Sequence, residues 1–143
     1  AGFMAEGTER LIRAWLNKAR HDIETARRVL YHNQPITDTA VYHCQQAAEK
    51  ALKAVLIYHG ESVFKTHDLI ALLTKCANHD PVFINWVETA ATLTPYATAF
   101  RYPANDPDPS LADAEQAVKM ATELLDFVQS RLAPDPDQPA PPL

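Results

Sequence analysis

The chain is poor in the residues that build several common kinds of site. It has three glycines in 143 residues, none of them grouped. That argues against the glycine-rich loops that cradle phosphates in nucleotide-triphosphate and dinucleotide enzymes. Its two cysteines, Cys44 and Cys76, stand apart, with neither a Cys-x-x-Cys pair nor the paired histidine spacing of a zinc motif. Both fall on apolar helical stripes and read as buried free thiols of a reducing compartment, ahead of a disulfide or a metal site. No apolar run approaches the roughly 18 residues of a membrane span. Alternating or β-branched runs that would mark strands are absent. No histidine follows His79.

The balance of 13 basic against 18 acidic residues leaves a net charge of −5. This argues against a general nucleic-acid coat protein, which needs concentrated cations, and leaves room for a local basic site. With 47% hydrophobic residues, one domain of this length can bury a core without disulfides or metal. The start carries no signal-peptide pattern, so a cytoplasmic protein with no membrane contact is expected. Ala1-Gly2-Phe3 reads as an expression-vector remnant, with Met4 as the natural start.

What is present is helical periodicity. Ile12, Trp15, Ala19, Ile23, Ala26 and Leu30 recur at steps of three and four, an amphipathic helix capped by Thr8 and ending near Asn33. Thr37-Asp38-Thr39 opens a second helix, with the stripe Val41, Cys44, Ala48, Ala51, Val55 and His59 and a stop at Gly60. Thr66 caps a third, with Asp68 in its first turn and Leu69, Leu72, Leu73 and Cys76 inward. Asp80-Pro81 starts a fourth, with Phe83, Val87, Ala90 and Ala91 inward and Pro95 blurring its end. Ser110 caps the last, with Asp113 three residues on; Ala114, Ala117, Ala121, Leu124, Val128 and Leu132 form its stripe. The expected fold is all-α, an up-and-down bundle of about five helices over residues 8–133. Residues 134–143 hold five prolines and read as a disordered tail, or as a docking peptide that orders on a partner.

Three segments carry the candidate chemistry. In the second helix, Gln45, Glu49 and Lys53 are spaced four apart, and Gln46, Lys50 and Lys53 share an overlapping face. This reads either as a solvated, ion-paired face, Glu49 bridging Lys53 across one turn, or as the wall of a groove between two subunits. Side-by-side glutamines favour the groove, because amides add little to helix stability yet hydrogen-bond bases and backbone well. Lys65-Thr66-His67-Asp68 sits where a loop enters a helix, a place that attracts anions; the alternative is a capped helix with His67 packed beside it. Arg101 is the sole lysine or arginine between Lys75 and Lys119, flanked by Phe100 and Tyr102. Its planar fork suits a phosphate or carboxylate, and Tyr96 or Tyr102 could stack on it or on a base. Alternatively Arg101 pairs with Glu49 or another acid and closes the bundle.

Taken together and in this order, Tyr42 to Lys53 (YHCQQAAEKALK), Lys65-Thr66-His67-Asp68-Leu69 and Arg101-Tyr102-Pro103 resemble the HEPN family, over about Leu11 to Leu132. HEPN domains are small helical modules named for nucleotide binding. The resemblance implies a helical bundle that dimerises and partners a minimal nucleotidyltransferase, often as a toxin–antitoxin-like pair. It further implies that Gln45, Gln46, Glu49, Lys50, Lys53, Lys65, His67, Arg101 and Tyr102 contact a nucleotide, RNA or the partner, with no metal and no cofactor beyond a nucleotide ligand. The ribonuclease branch of the family carries an arginine followed after four to six residues by histidine near the last helix. Here Arg101 has no such histidine after it. Arg27 and His32 match the spacing only within the first helix, and Asn105 and Asp106 are weak substitutes. A metal-independent ribonuclease would therefore need another base, such as His43 or His67. A purely structural dimeric bundle is the remaining alternative.

Overall fold

A computed structural model describes residues 5–62, 65–103 and 107–133. The expectations about the vector-derived start, the substitutes Asn105 and Asp106, and the tail 134–143 fall outside these residues. The described residues form five α-helices: α1 (Glu6–Leu30), α2 (Thr37–Tyr58), α3 (Leu69–His79), α4 (Val87–Leu93) and α5 (Leu111–Leu132), with no strand. Short 3₁₀ segments at Pro81–Trp86 and Thr94–Ala97 bracket α4.

The long helices follow the apolar stripes. Ile12, Ala19, Ile23, Ala26 and Leu30 of α1 are buried, as are Ala114, Ala117, Ala121, Leu124 and Val128 of α5. Alanines at these inward positions let helix axes approach closely. α2 lies at the centre, packed on α1, α3, α4 and α5. Fourteen of its 22 residues are buried, so it has almost no solvated face.

Helix ends obey local chemistry. Ser110 Oγ accepts from the Asp113 backbone N–H at 3.0 Å, the cap expected for α5. α2 ends in a Schellman turn: Gly60 N–H donates to Ile57 O and Glu61 N–H to Leu56 O, with Gly60 at φ 82°. The third helix starts two residues later than expected. Asp68, not Thr66, is its cap, accepting from the Ile70 and Ala71 N–H groups, while Thr66 Oγ1 accepts from the Asp68 N–H. Thr8 lies inside α1, whose N-cap position is Ala5 with no side-chain cap.

The fourth helix departs most from its expected pattern. Phe83 and Ala90 are buried, but Val87 is 46% exposed, and Thr89 and Leu93 are buried instead. The first six residues wind as a 3₁₀ helix, which turns three residues per turn and shifts the inward register against an α-helical count. Among the described residues, no helix is long and apolar enough to cross a membrane.

Candidate functional site

The polar residues of α2 are divided by the packing into an inner and an outer set. Gln45, Glu49 and Lys53 are 0%, 5% and 7% exposed within a single protomer. They are not a solvated face, because α2 packs on α1 and His67 of the α2–α3 connection lies against Gln45 and Glu49. Burying an acid and a lysine requires that they be paired and fully hydrogen-bonded. Glu49 Oε2 accepts from Lys53 Nζ at 2.8 Å. Its Oε1 meets His67 Nδ1 at 2.7 Å and accepts from Gln45 Nε2 at 3.2 Å. Gln45 Nε2 also donates to the His67 carbonyl at 3.0 Å, and Gln46 Nε2 donates to Gln45 Oε1 at 2.7 Å. Among the described residues no buried side-chain polar atom lacks a partner. Burial pushes the Glu49 carboxyl upward, but the hydrogen bonds from Lys53, His67 and Gln45 outweigh it and hold the group below its ordinary range.

Lys53 further lies 5.8 Å from the centre of the Trp15 ring, on α1. With Lys65, Thr66 and His67 it lines a pocket of about 240 Å³ beside the entry to α3. The helix terminus itself is not the anion site, because the Asp68 carboxylate already occupies its N–H groups.

A second cluster centres on Asp22, a buried acid on α1. Its Oδ1 meets His43 Nδ1 at 2.8 Å, and its Oδ2 accepts from Lys50 Nζ at 2.5 Å. A carboxylate on Nδ1 fixes the ring and leaves Nε2 as the working nitrogen. The sequence reading misses Asp22, although an acid between Ala19, Ile23 and Ala26 of an apolar stripe is a visible signal.

Arg101 does not pair with Glu49, which is taken up by Lys53 and His67, and among the described residues it forms no ion pair with another acid. Its guanidinium lies 4.6 Å from the centre of the Tyr42 ring, and Tyr42 in turn meets His43 edge-on at 5.4 Å. The stacking partner is thus Tyr42, not Tyr96 or Tyr102: Tyr96 packs near Phe100, and Tyr102 is 77% exposed. Phe100 has φ 67°, a left-handed backbone that costs a non-glycine residue about 1–2 kcal/mol. Such strain persists where the surroundings over-determine it, and it is found at functional sites. Phe100 immediately precedes Arg101, which meets Tyr42 while remaining exposed.

Tyr42, His43, Gln46, Lys50 and Arg101 therefore form one accessible surface around the first half of α2. Arg27 donates to Thr122 Oγ1 on α5 and sits in the α1–α5 groove. Both cysteines are free and buried. Burial and, for Cys44, the nearby Asp22 charge push each thiol up to about 12, so neither is a thiolate nucleophile at neutral pH.

A model of the HEPN domain matches residues 12–131. The chain is 28% identical over 133 residues to the Methanocaldococcus jannaschii protein named "Putative toxin MJ1304", covering 82% of this chain and 86% of that protein. The crystal structure of TT1696 from Thermus thermophilus superposes with a TM-score of 0.75 at 31% identity, over 85% of this chain and 98% of that one. ST0689, described as an archaeal HEPN homologue, superposes with a TM-score of 0.66 at 25% identity, over 84% and 96% of the two chains.

Proposed function

The chain belongs to the HEPN domain family, and on that premise we propose that it is the HEPN half of a cytoplasmic toxin–antitoxin-type pair that binds a nucleotide or RNA. In this reading it works as a symmetric dimer with a minimal nucleotidyltransferase as partner. The observation that carries it is Arg101: exposed, without a carboxylate partner among the described residues, stacked on Tyr42 at 4.6 Å and presented by a strained Phe100. A guanidinium lying over a ring can still present N–H donors to a phosphate. The exposed Tyr102 beside it offers a face for a base. The relative named as a toxin supports the toxin–antitoxin part of the reading.

Two measurements test it. A tagged pull-down from native cells should recover a small nucleotidyltransferase at near-equal stoichiometry. Arg101→Ala should weaken binding of single-stranded RNA or nucleotide by about tenfold or more. Unchanged affinity in that variant would remove Arg101 from the site.

A second reading, metal-independent RNA cleavage, is favoured by one arrangement, the Asp22–His43 pair beside Tyr42 and Arg101. His43 Nε2 would take the proton of a ribose 2′-hydroxyl as the 2′-oxygen bonds to phosphorus. The bond to the 5′-oxygen breaks, and the leaving oxygen is protonated by solvent, giving a 2′,3′-cyclic phosphate and a 5′-hydroxyl. Arg101 would steady the charge on the phosphoryl oxygens. Cleavage of end-labelled RNA by the native chain but not by His43→Ala, with a cyclic-phosphate product, supports this reading; no cleavage by the native chain removes it.

A further inference from the structure

The pocket beside the α2–α3 connection is separate from the Arg101 surface, yet both lie along one strip of α2. At 100° per residue, Tyr42, Gln46, Glu49 and Lys53 project within a narrow arc, so Tyr42 and Lys53 stand about 16 Å apart along the same side of the helix. Arg101 covers the Tyr42 end, and the pocket of about 240 Å³ lies at the Lys53 end.

The pocket is built for an anion. Lys53 is buried, so its ammonium is held in place. One of its three N–H donors goes to Glu49, which leaves two. Thr66 Oγ1 accepts from the Asp68 N–H, and its hydroxyl hydrogen remains to be donated. His67 commits Nδ1 to Glu49, which leaves Nε2 as a donor to an anion when the ring carries both protons. Lys65 brings a further positive charge at the exposed rim. Among the described residues, Glu49 beneath the pocket is paired with Lys53 and the Asp68 carboxylate caps α3, while Lys65 at the opening forms no ion pair with either.

We propose that this pocket, lined by Lys53, Lys65, Thr66 and His67, binds a second phosphate of the same single strand that Arg101 engages. The site thus takes an oligonucleotide in preference to a mononucleotide. A span of about 16 Å is longer than one nucleotide reaches, so bridging both ends requires a strand of several nucleotides. Between the two ends, Gln46 is half-exposed and offers an amide to the bases. This inference rests on the nucleotide- or RNA-binding reading above.

The test compares a mononucleotide with a single-stranded RNA of about six nucleotides on the native chain, Lys65→Ala and Arg101→Ala. Lys65 is exposed, so its substitution leaves folding intact. The native chain should bind the longer strand at least about tenfold more tightly. Lys65→Ala should lose that gain and reduce the slope of log affinity against log salt by about 0.7. Separately, inorganic phosphate titrated into the native chain should move the His67 ring resonances in an NMR spectrum, and do so far less in Lys65→Ala. If Arg101→Ala abolishes binding while Lys65→Ala leaves the length dependence intact, the second phosphate site is wrong and the Arg101 reading survives. If the native chain binds neither RNA nor nucleotide, both fail. Phosphate-induced shifts of His67 would then identify the pocket as an anion site unconnected to RNA, which also overturns the proposal.

Discussion

His67 Nδ1 lies 2.7 Å from Oε1 of Glu49, and this contact ties an exposed ring in the α2–α3 connection to a carboxylate inside the bundle. The same carboxylate holds Lys53 from one turn along α2. Glu49 is therefore the junction between the core helix and the loop that frames the pocket beside α3. Its removal would leave Lys53 charged and unmatched in a buried place.

Glu49→Ala should accordingly lower unfolding free energy by about 3–5 kcal/mol, and Glu49→Gln by less, because the amide keeps part of the hydrogen bonding. Urea unfolding of the three proteins checks this. A loss under about 1 kcal/mol for the alanine variant would mean that Lys53 finds another partner or reaches water.

The pH dependence of stability has a sign set by the same group. Glu49 titrates below its ordinary value of 4.5 in the folded chain. Its contribution is fully present above the unfolded value and is lost as pH falls through the lower folded value. Unfolding free energy should therefore fall on acidification below about pH 4.5. The fall should be shallower in Glu49→Gln, measured by denaturant titration at a series of pH values.

A second acid-sensitive place lies at the far end of α2. His59 and His79 stack face to face at 4.5 Å, with Glu61 on His79 Nε2 at 2.5 Å and Asp80 nearby, paired to Arg131. Burial and the charge of His79 hold His59 below its ordinary 6.5, partly offset by Asp80 and Glu61. The unfolded chain then binds the proton more readily than the folded one. Stability should drop as pH falls below 6.5 and level off once the folded chain is protonated too. His59→Phe keeps a ring for stacking and should flatten that part of the profile. An unchanged profile would place the sensitivity elsewhere.

Gly60 offers a prediction about backbone alone. A Cβ at this position would meet no atom within 4 Å, yet φ is +82°. Gly60→Ala should therefore cost about 1–2 kcal/mol without any steric clash, readable as a fall in the denaturation midpoint with an unchanged slope.

Arg101→Ala separates binding from folding. The side chain is exposed and stacks on Tyr42, so the substitution should change stability by no more than about 1 kcal/mol while weakening the nucleic-acid ligand. A collapse in thermal stability would instead mark Arg101 as a bundle-closing residue.

Much of the fold was legible because helices write their own periodicity. The α1 and α5 stripes, the Ser110 cap and the Gly60 stop depend on residues within one or two turns of each other. The inward residues of the fourth helix were less legible, because a 3₁₀ start changes the angle per residue without a distinct apolar signature. In the candidate site, Glu49 bridging Lys53 was readable as an i,i+4 pair. Asp22 with His43 and Lys50 was not, since those contacts span 21 and 28 residues.

Local spacing alone made the chain helical and placed its main stripes and its three polar segments. Those properties follow from local spacing and local hydrogen bonding. The tertiary structure decided which polar residues are buried and which are exposed. Angular position on α2 puts Gln45, Glu49 and Lys53 together, but only the packing of its neighbours turns that side inward and makes it a satisfied buried network. The same packing sets Arg101 on Tyr42, far away in the chain. Burial is a property of what surrounds a helix, and no periodicity within the helix encodes it.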